Sequence, residues 1–256
     1  EIHMQLHFLG RGAAFYPQQG STSAYILEEN RLFLLDCGES VFAELLRRGV
    51  LSGVTAVYVA LSHLHSDHCG SLGSLSHYCR YAMNAPLFVV VPDEPAYCSD
   101  VKTLLRLFGA PEGGVSLLYD RDVTGFSSFS SFRYVPTRHV SEIPSHSFVF
   151  ETPEGGVFYS ADTCTEEPCR AFMQTHPHFE HIYMDVTDAE YPGNVHLPLS
   201  VFARLIRDDQ KARVSLMHVN SESCIAKGEA LGFSVVSALP PCAPSDCPEN
   251  AQRNSP

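Results

Sequence analysis

The run His63-Leu64-His65-Ser66-Asp67-His68 stands directly after the apolar stretch Ala56-Val57-Tyr58-Val59-Ala60-Leu61. The apolar stretch reads as a buried strand and the polar run as the loop at its end. Residues 63–68 hold four potential metal ligands. Neutral imidazole and carboxylate suit zinc and similar divalent ions, and side chains fanned from a strand end can meet at a common centre. A fold that carries a metal site on a sheet edge is therefore expected.

The rest of the chain supplies the sheets. Met4 to Gly10 alternates like a strand, and Ala24–Leu27 and Arg31–Asp36 flank Glu29-Asn30 as a hairpin. Val41–Val50 has helical spacing, a helix is predicted from about Cys69 to Tyr81, Leu87–Val91 reads as a strand and Tyr97–Leu107 as a helix. Residues 115–160 are β-rich, with Phe148-Val149-Phe150 and Val157-Phe158-Tyr159 separated by the turn Pro153-Glu154-Gly155-Gly156. Helices near 167–175, 197–208 and 223–231 then alternate with strands near 181–186, 213–217 and 233–236. That alternation predicts an α/β fold whose sheets are covered by helices. One domain is read over residues 4–236, with a Pro/Ser-rich tail from 237 to 256. Glu1-Ile2-His3 before Met4 reads as an expression remnant.

Charge narrows the partners. Basic residues number 17 against 29 acidic ones, a net charge of −12, which argues against large nucleic acids because their binding neutralises phosphates with Lys and Arg. A small phosphorylated substrate drawn to a cationic metal centre stays compatible. No apolar stretch is long enough for a bilayer, so no membrane is expected. The cysteines number nine, an odd count without paired CxxC spacing, which favours a reducing, cytoplasmic setting.

The hexapeptide needs further ligands to complete a two-metal site. Three candidates follow predicted strands: His139 after Phe132–Pro136, Asp162 after Val157–Ser160, and His218 after Val214–Met217. Taken singly, each reads equally as a capping or core polar residue. In an α/β sheet, loops at strand carboxyl ends share one edge, so all three can reach the hexapeptide. Cys69 reads as a buried thiol rather than a ligand. His176, His178 and His181 read as a solvated loop.

Leu35-Asp36-Cys37-Gly38, the His-x-His-x-Asp-His run, His139, Tyr159-Ser160-Ala161-Asp162-Thr163 and His218 occur in this order over nearly all of residues 4–236. This ensemble resembles the metallo-β-lactamase-fold superfamily. The resemblance implies an αββα sandwich with the metal site at the edge between the two sheets. It implies one divalent metal on His63, His65 and His139, a second on Asp67, His68 and His218, and Asp162 as the bridge. Zinc is the expected ion, with manganese or iron as alternatives, and Asp36 would orient a ligand.

The presence of Asp162 argues against β-lactam hydrolysis. Pro144-Ser145-His146-Ser147-Phe148 and Asp185-Val186-Thr187 with His196-Leu197 resemble the tRNase Z and small cyclic-phosphate phosphodiesterase branch. That likeness implies a hydrolase of a small or cyclic phosphodiester using a metal-bridging hydroxide. Asp67, Asp185 and His196 form its catalytic set, with His196 protonating the leaving oxygen and Asp185 orienting it. His196 reads alternatively as a helix cap. Arg138, Ser145, His146 and Ser147 are candidate substrate contacts, each with a bland reading as a strand-end charge or turn. The alternative activities are lactone or carboxylic-ester hydrolysis, tRNA 3′-end cleavage, and metal-dependent binding without catalysis. A homodimer is the expectation from the fold.

Overall fold

A computed structural model of the protein describes residues 4–238. The first half of the chain builds one sheet from β1 (His7–Gly10), β2 (Ser23–Glu28), β3 (Arg31–Leu35), β4 (Ala56–Ala60), β5 (Leu87–Val91) and β6 (Val115–Tyr119), ordered β1-β2-β3-β4-β5-β6. Its helices are α1 (Val41–Arg47), α2 (Ser66–Cys69), α3 (Leu72–Tyr78) and α4 (Pro95–Leu107). The second half builds another sheet from β7 (Ser131–Thr137), β8 (Ser145–Glu151), β9 (Val157–Tyr159), β10 (His181–Asp185), β11 (Val214–Met217) and β12 (Ser234–Val235), ordered β12-β11-β10-β9-β8-β7. Helices α5 (Glu167–Thr175), α6 (Leu199–Leu205) and α7 (Glu222–Ala230) belong to that half.

Strand alternation creates three apolar layers. Leu32 and Leu34 of β3 pack outward with Val41, Leu45, Leu72 and Val101 of the helices. Phe33 and Leu35 point the other way and meet Phe132, Phe148, Phe150 and Tyr159 of the second sheet. Ile182, Met184 and Leu216 face Phe172, Phe202 and Ile225 of the second helical layer. The result is the αββα sandwich.

Several boundaries differ from the sequence reading. Strand β1 starts at His7, not Met4. The helix expected from Cys69 to Tyr81 is three pieces: α2, α3 and a π-helical turn Cys79–Met83. Asp67 and His68 consequently lie on α2 rather than in a loop. The helix expected over 197–208 stops at Leu205, because Ile206 turns extended (ψ 124°), and a 3₁₀ segment Asp208–Arg213 follows. The Glu29-Asn30 hairpin holds, both residues adopting positive φ (45° and 64°) as tight strand turns require. The tail and the first three residues fall outside the described residues, apart from 237–238. Among those described, no helix is long and apolar enough to cross a membrane.

Candidate metal centre

The candidate ligands arrive from the carboxyl ends of strands in both sheets. His63 and His65 follow β4, and Asp67 and His68 open out from it on α2. His139 follows β7, Asp162 follows β9 and His218 follows β11. Three non-glycine residues at these ends adopt positive φ: Asp36 (62°), Ala161 (48°) and His218 (54°). Such backbone costs of order 1–3 kcal/mol each and concentrates where side chains must be aimed.

The side chains fall into two adjoining groups. His63, His65 and His139 form one, and Asp67, His68, Asp162 and His218 the other. In the first, His65 Nδ1 lies 3.0 Å from His63 Nε2 and 3.3 Å from His139 Nε2. In the second, Asp67 Oδ2 lies 3.4 Å from both His68 Nε2 and His218 Nε2. Asp162 spans the pair. Its Oδ1 is 3.1 Å from His68 Nε2 and 3.3 Å from His218 Nε2, and its Oδ2 is 3.8 Å from His63 Nε2 and 3.6 Å from His139 Nε2.

Surrounding groups set which nitrogen of each imidazole is a free lone pair. His68 Nδ1–H donates to Asp36 Oδ2 (2.7 Å), and Ser62 Oγ–H donates to the same oxygen (2.8 Å). His63 Nδ1–H donates in turn to Ser62 Oγ (3.0 Å). His139 Nδ1–H donates to the Val195 carbonyl (2.8 Å). The Nε2 lone pairs of His63, His68 and His139 are thus turned towards the centre.

This donor set fits divalent cations. His68 Nε2 and Asp162 Oδ1 are buried with no hydrogen-bond partner, a costly state that a cation relieves. Charges agree. Burial pulls His218 down, but the carboxylates of Asp162 and Asp185 outweigh it and push it up to about 10. Burial alone would raise Asp162, whereas His218 and His68 hold it well below the ordinary carboxylate range.

Asp185 and His196 adjoin this cluster and form a third group of possible ligands with Asp162 and His218. His196 Nδ1–H donates to Asp185 Oδ2 (2.8 Å), and Thr163 N–H donates to the same oxygen (3.0 Å). Asp185 Oδ1 lies 3.3 Å from His218 Nδ1. The His196 ring sits 5.0 Å from the rings of both His139 and His218. Burial lowers His196, but Asp185 more than compensates and raises it above the usual histidine value.

The four candidate substrate contacts sit differently. Ser145, His146 and Ser147 are buried in β8. Ser147 Oγ–H donates to the Ser160 carbonyl (2.6 Å), and His146 lies between the Ser62 carbonyl (3.2 Å) and Glu94 (3.1 Å). Arg138 is exposed and donates to Thr165 Oγ1 (3.3 Å), beside Glu167 of α5. Cys69 is buried and free, and belongs to neither group. The 176–181 histidines are not a solvated loop throughout. His176 stacks on Phe172 and meets Glu151 Oε2 (2.9 Å), and His181 Nε2 meets Ser215 Oγ (2.9 Å); only His178 is exposed.

Sequence reasoning missed Ser62, the Val195 carbonyl and Thr163 N–H. The last two are backbone groups with no residue-type signal, and Ser62 could be found only by its place before His63.

The sequence profile of Anti-Pycsar protein Apyc1 matches residues 4–97 and 115–236. The chain belongs to that family. It is 25% identical over 224 residues to the Anti-Pycsar protein Apyc1 of Paenibacillus harenae, covering 84% of this chain and 89% of that one. It is 27% identical over 158 residues to the Ribonuclease Z of Phocaeicola vulgatus, covering 57% of this chain; it thus spans about half (48%) of that relative's length. The metallo-β-lactamase fold protein YhfI of Bacillus subtilis superimposes with a TM-score of 0.67 at 16% identity, covering 90% of this chain and 94% of that one. A diphosphatase of the PhnP family gives 0.65 at 15% identity, covering 90% and 94%. The fold is the metallo-β-lactamase fold.

Proposed function

We propose that the protein is a two-metal hydrolase of a small or cyclic phosphodiester, with residues 4–236 as its catalytic unit. One observation carries this reading: the two oxygens of Asp162 face different nitrogen groups, with Asp185 and His196 alongside. Five imidazoles and two carboxylates suit zinc, with manganese or iron as alternatives. Bound there, two cations would supply positive charge for the phosphoryl oxygens and acidify water towards neutral pH.

The chain's own residues supply the remaining steps. Asp185 holds His196 through Nδ1, which leaves Nε2 to carry a proton for the departing oxygen. The Asp185 charge keeps that proton in place against burial. His139 and His218 flank the donor ring and limit its rotation. Asp67 completes the group that faces Asp162.

Small substrates are favoured over tRNA by two observations. The net charge is −12, and the family profile that matches residues 4–97 and 115–236 is that of Anti-Pycsar protein Apyc1. A cytoplasmic setting is supported by the seven described cysteines, all free.

The test is an assay of metal-loaded protein on nucleoside cyclic monophosphates and bis(p-nitrophenyl) phosphate, with His196→Ala alongside. We expect kcat on the cyclic nucleotides to fall about 10²-fold or more in the variant. The fall on bis(p-nitrophenyl) phosphate should be smaller, because p-nitrophenolate leaves without a proton. Absence of phosphodiester turnover by the loaded wild-type protein would sink the reading. Full activity of His196→Ala on the cyclic nucleotides would remove His196 from the proton-donor role while leaving the phosphodiester reading standing.

A further inference from the structure

Asp67 faces two spaces. Its Oδ2 belongs to the metal-ligating group, and the residue also lines a cavity of ≈ 240 Å³ walled by Ala13, Ala14, Pro17, Gly20 and Glu39 among others. Most of that wall is the β1–β2 connection, which is firmly held. Gly12 N–H donates to the Gly20 carbonyl (2.9 Å), Ala13 N–H to the Val219 carbonyl (3.0 Å), and Val219 N–H to the Arg11 carbonyl (2.9 Å). The wall is thereby fixed to the residue after His218. Ser21 and Ser40, also in the lining, are tied to each other: each backbone N–H donates to the other's Oγ, at 2.8 and 3.3 Å.

Glu39 differs. It is exposed, no hydrogen bond or ion pair engages its carboxylate among the described residues, and it joins neither metal-ligating group. No Lys or Arg lines the cavity. The charged side chain in this space outside the metal-ligating groups is therefore a carboxylate, an acceptor of hydrogen bonds. It can reward a ligand that donates hydrogen bonds and repels one that brings a further phosphate.

We propose that this cavity receives the non-reacting end of the substrate, and that Glu39 selects there for a hydroxyl- or amine-bearing moiety such as the sugar or base of a nucleoside. The assignment rests on the phosphodiester reading above. The reacting phosphate sits at the cations, Asp67 marks the boundary, and the organic part extends between Glu39 and the small side chains of the β1–β2 connection. Small residues leave room for a ring, and their fixed backbone gives the site its shape before substrate arrives.

Glu39→Ala tests this, since an exposed side chain can be truncated without opening the core. Three quantities are measured on metal-loaded wild type and variant. They are KM and kcat for a nucleoside 3′,5′-cyclic monophosphate, the same for bis(p-nitrophenyl) phosphate, and the calorimetric Kd of a nucleoside 3′,5′-cyclic phosphorothioate. A hydrogen bond to a charged acceptor is worth enough for about a tenfold change. We expect about a tenfold rise in KM for the nucleotide and in Kd for the phosphorothioate, with kcat and metal content kept. Bis(p-nitrophenyl) phosphate, which has no donor, should lose at least fivefold less. Equal losses on both substrates, unchanged phosphorothioate affinity, or loss of metal would each overturn the assignment. Were the wild type inert on every phosphodiester, weakened phosphorothioate binding in the variant would still support the subsite while the catalytic reading failed.

Discussion

Three donors converge on Asp36, which is fully buried: Ser62 N–H (2.7 Å), Ser62 Oγ–H (2.8 Å) and His68 Nδ1–H (2.7 Å). A carboxylate accepts all three, whereas an amide cannot. Asp36→Asn would set an NH₂ either against Ser62 N–H or against the pair Ser62 Oγ–H and His68 Nδ1–H. One escape is for His68 to shift its proton to Nε2, which removes it as a ligand. We expect cation affinity to fall about 10–100-fold, read by competition with a coloured chelator, and an unchanged affinity would show that Asp36 does not govern the tautomer. The convergence of the seven candidate ligands was legible at this scale because His and Asp at strand ends are rare and recognisable as types. The left-handed backbone at Asp36, Ala161 and His218 was not, since no residue there advertises positive φ as glycine does. Ser145, His146 and Ser147 look polar and accessible in a sequence. Burial is a property of β8 in its sheet, which a local reading does not contain.

Elements decide how those residues reach one another. Gly38 links β3 to α1, and a Cβ at that position would overlap the Asp67 carbonyl oxygen. Two backbone segments meet there, so no flexible side chain can give way. Gly38→Ala should displace α2, and with it Asp67 and His68. We expect a destabilisation of about 1–3 kcal/mol or more, together with reduced metal content, measured by urea unfolding and elemental analysis; a wild-type denaturation midpoint would refute the contact. Strands β4 and β5 were read from short apolar runs and β1 from alternation, whereas α2 was read poorly because four residues are too few to show a helical period.

Strand β10 begins with His181, which burial and the nearby Arg213 push down to about 4. The unfolded chain, with an ordinary value near 6.5, takes its proton first as pH falls. Stability from this group is therefore complete above about pH 6.5 and drains away towards pH 4. At ~1.4 kcal/mol per pH unit the loss is on the order of 3 kcal/mol. His181→Gln, which keeps a partner for Ser215, should flatten the difference between urea midpoints at pH 7 and pH 4.5, and an equally steep fall in the variant would assign it to other groups.

Over the whole molecule, both proposed cations join the two halves of the chain. The first group takes His63 and His65 from the sheet β1–β6 and His139 from the other. The second takes Asp67 and His68 from the former and His218 and Asp162 from the latter. Elsewhere the sheets are held by the apolar layer around Phe33, Phe132, Phe148 and Phe150, so the fold should persist without metal but with its ligand-bearing edge loosened. Cations that bind only the folded state stabilise it by mass action, about 2.7 kcal/mol at a hundredfold excess over Kd. For a domain of this size each kcal/mol moves Tm by about 2–4 °C. With two such sites, chelation should therefore lower Tm by about 10–20 °C. Amide exchange should quicken at the ends of β4, β7, β9 and β11, while the β5–β6 and β7–β8 ladders stay protected away from that edge. If metal can be stripped with no change in Tm or in exchange at those four strand ends, the cations do not staple the sheets, and the cluster would have to be held by its own ion pairs alone.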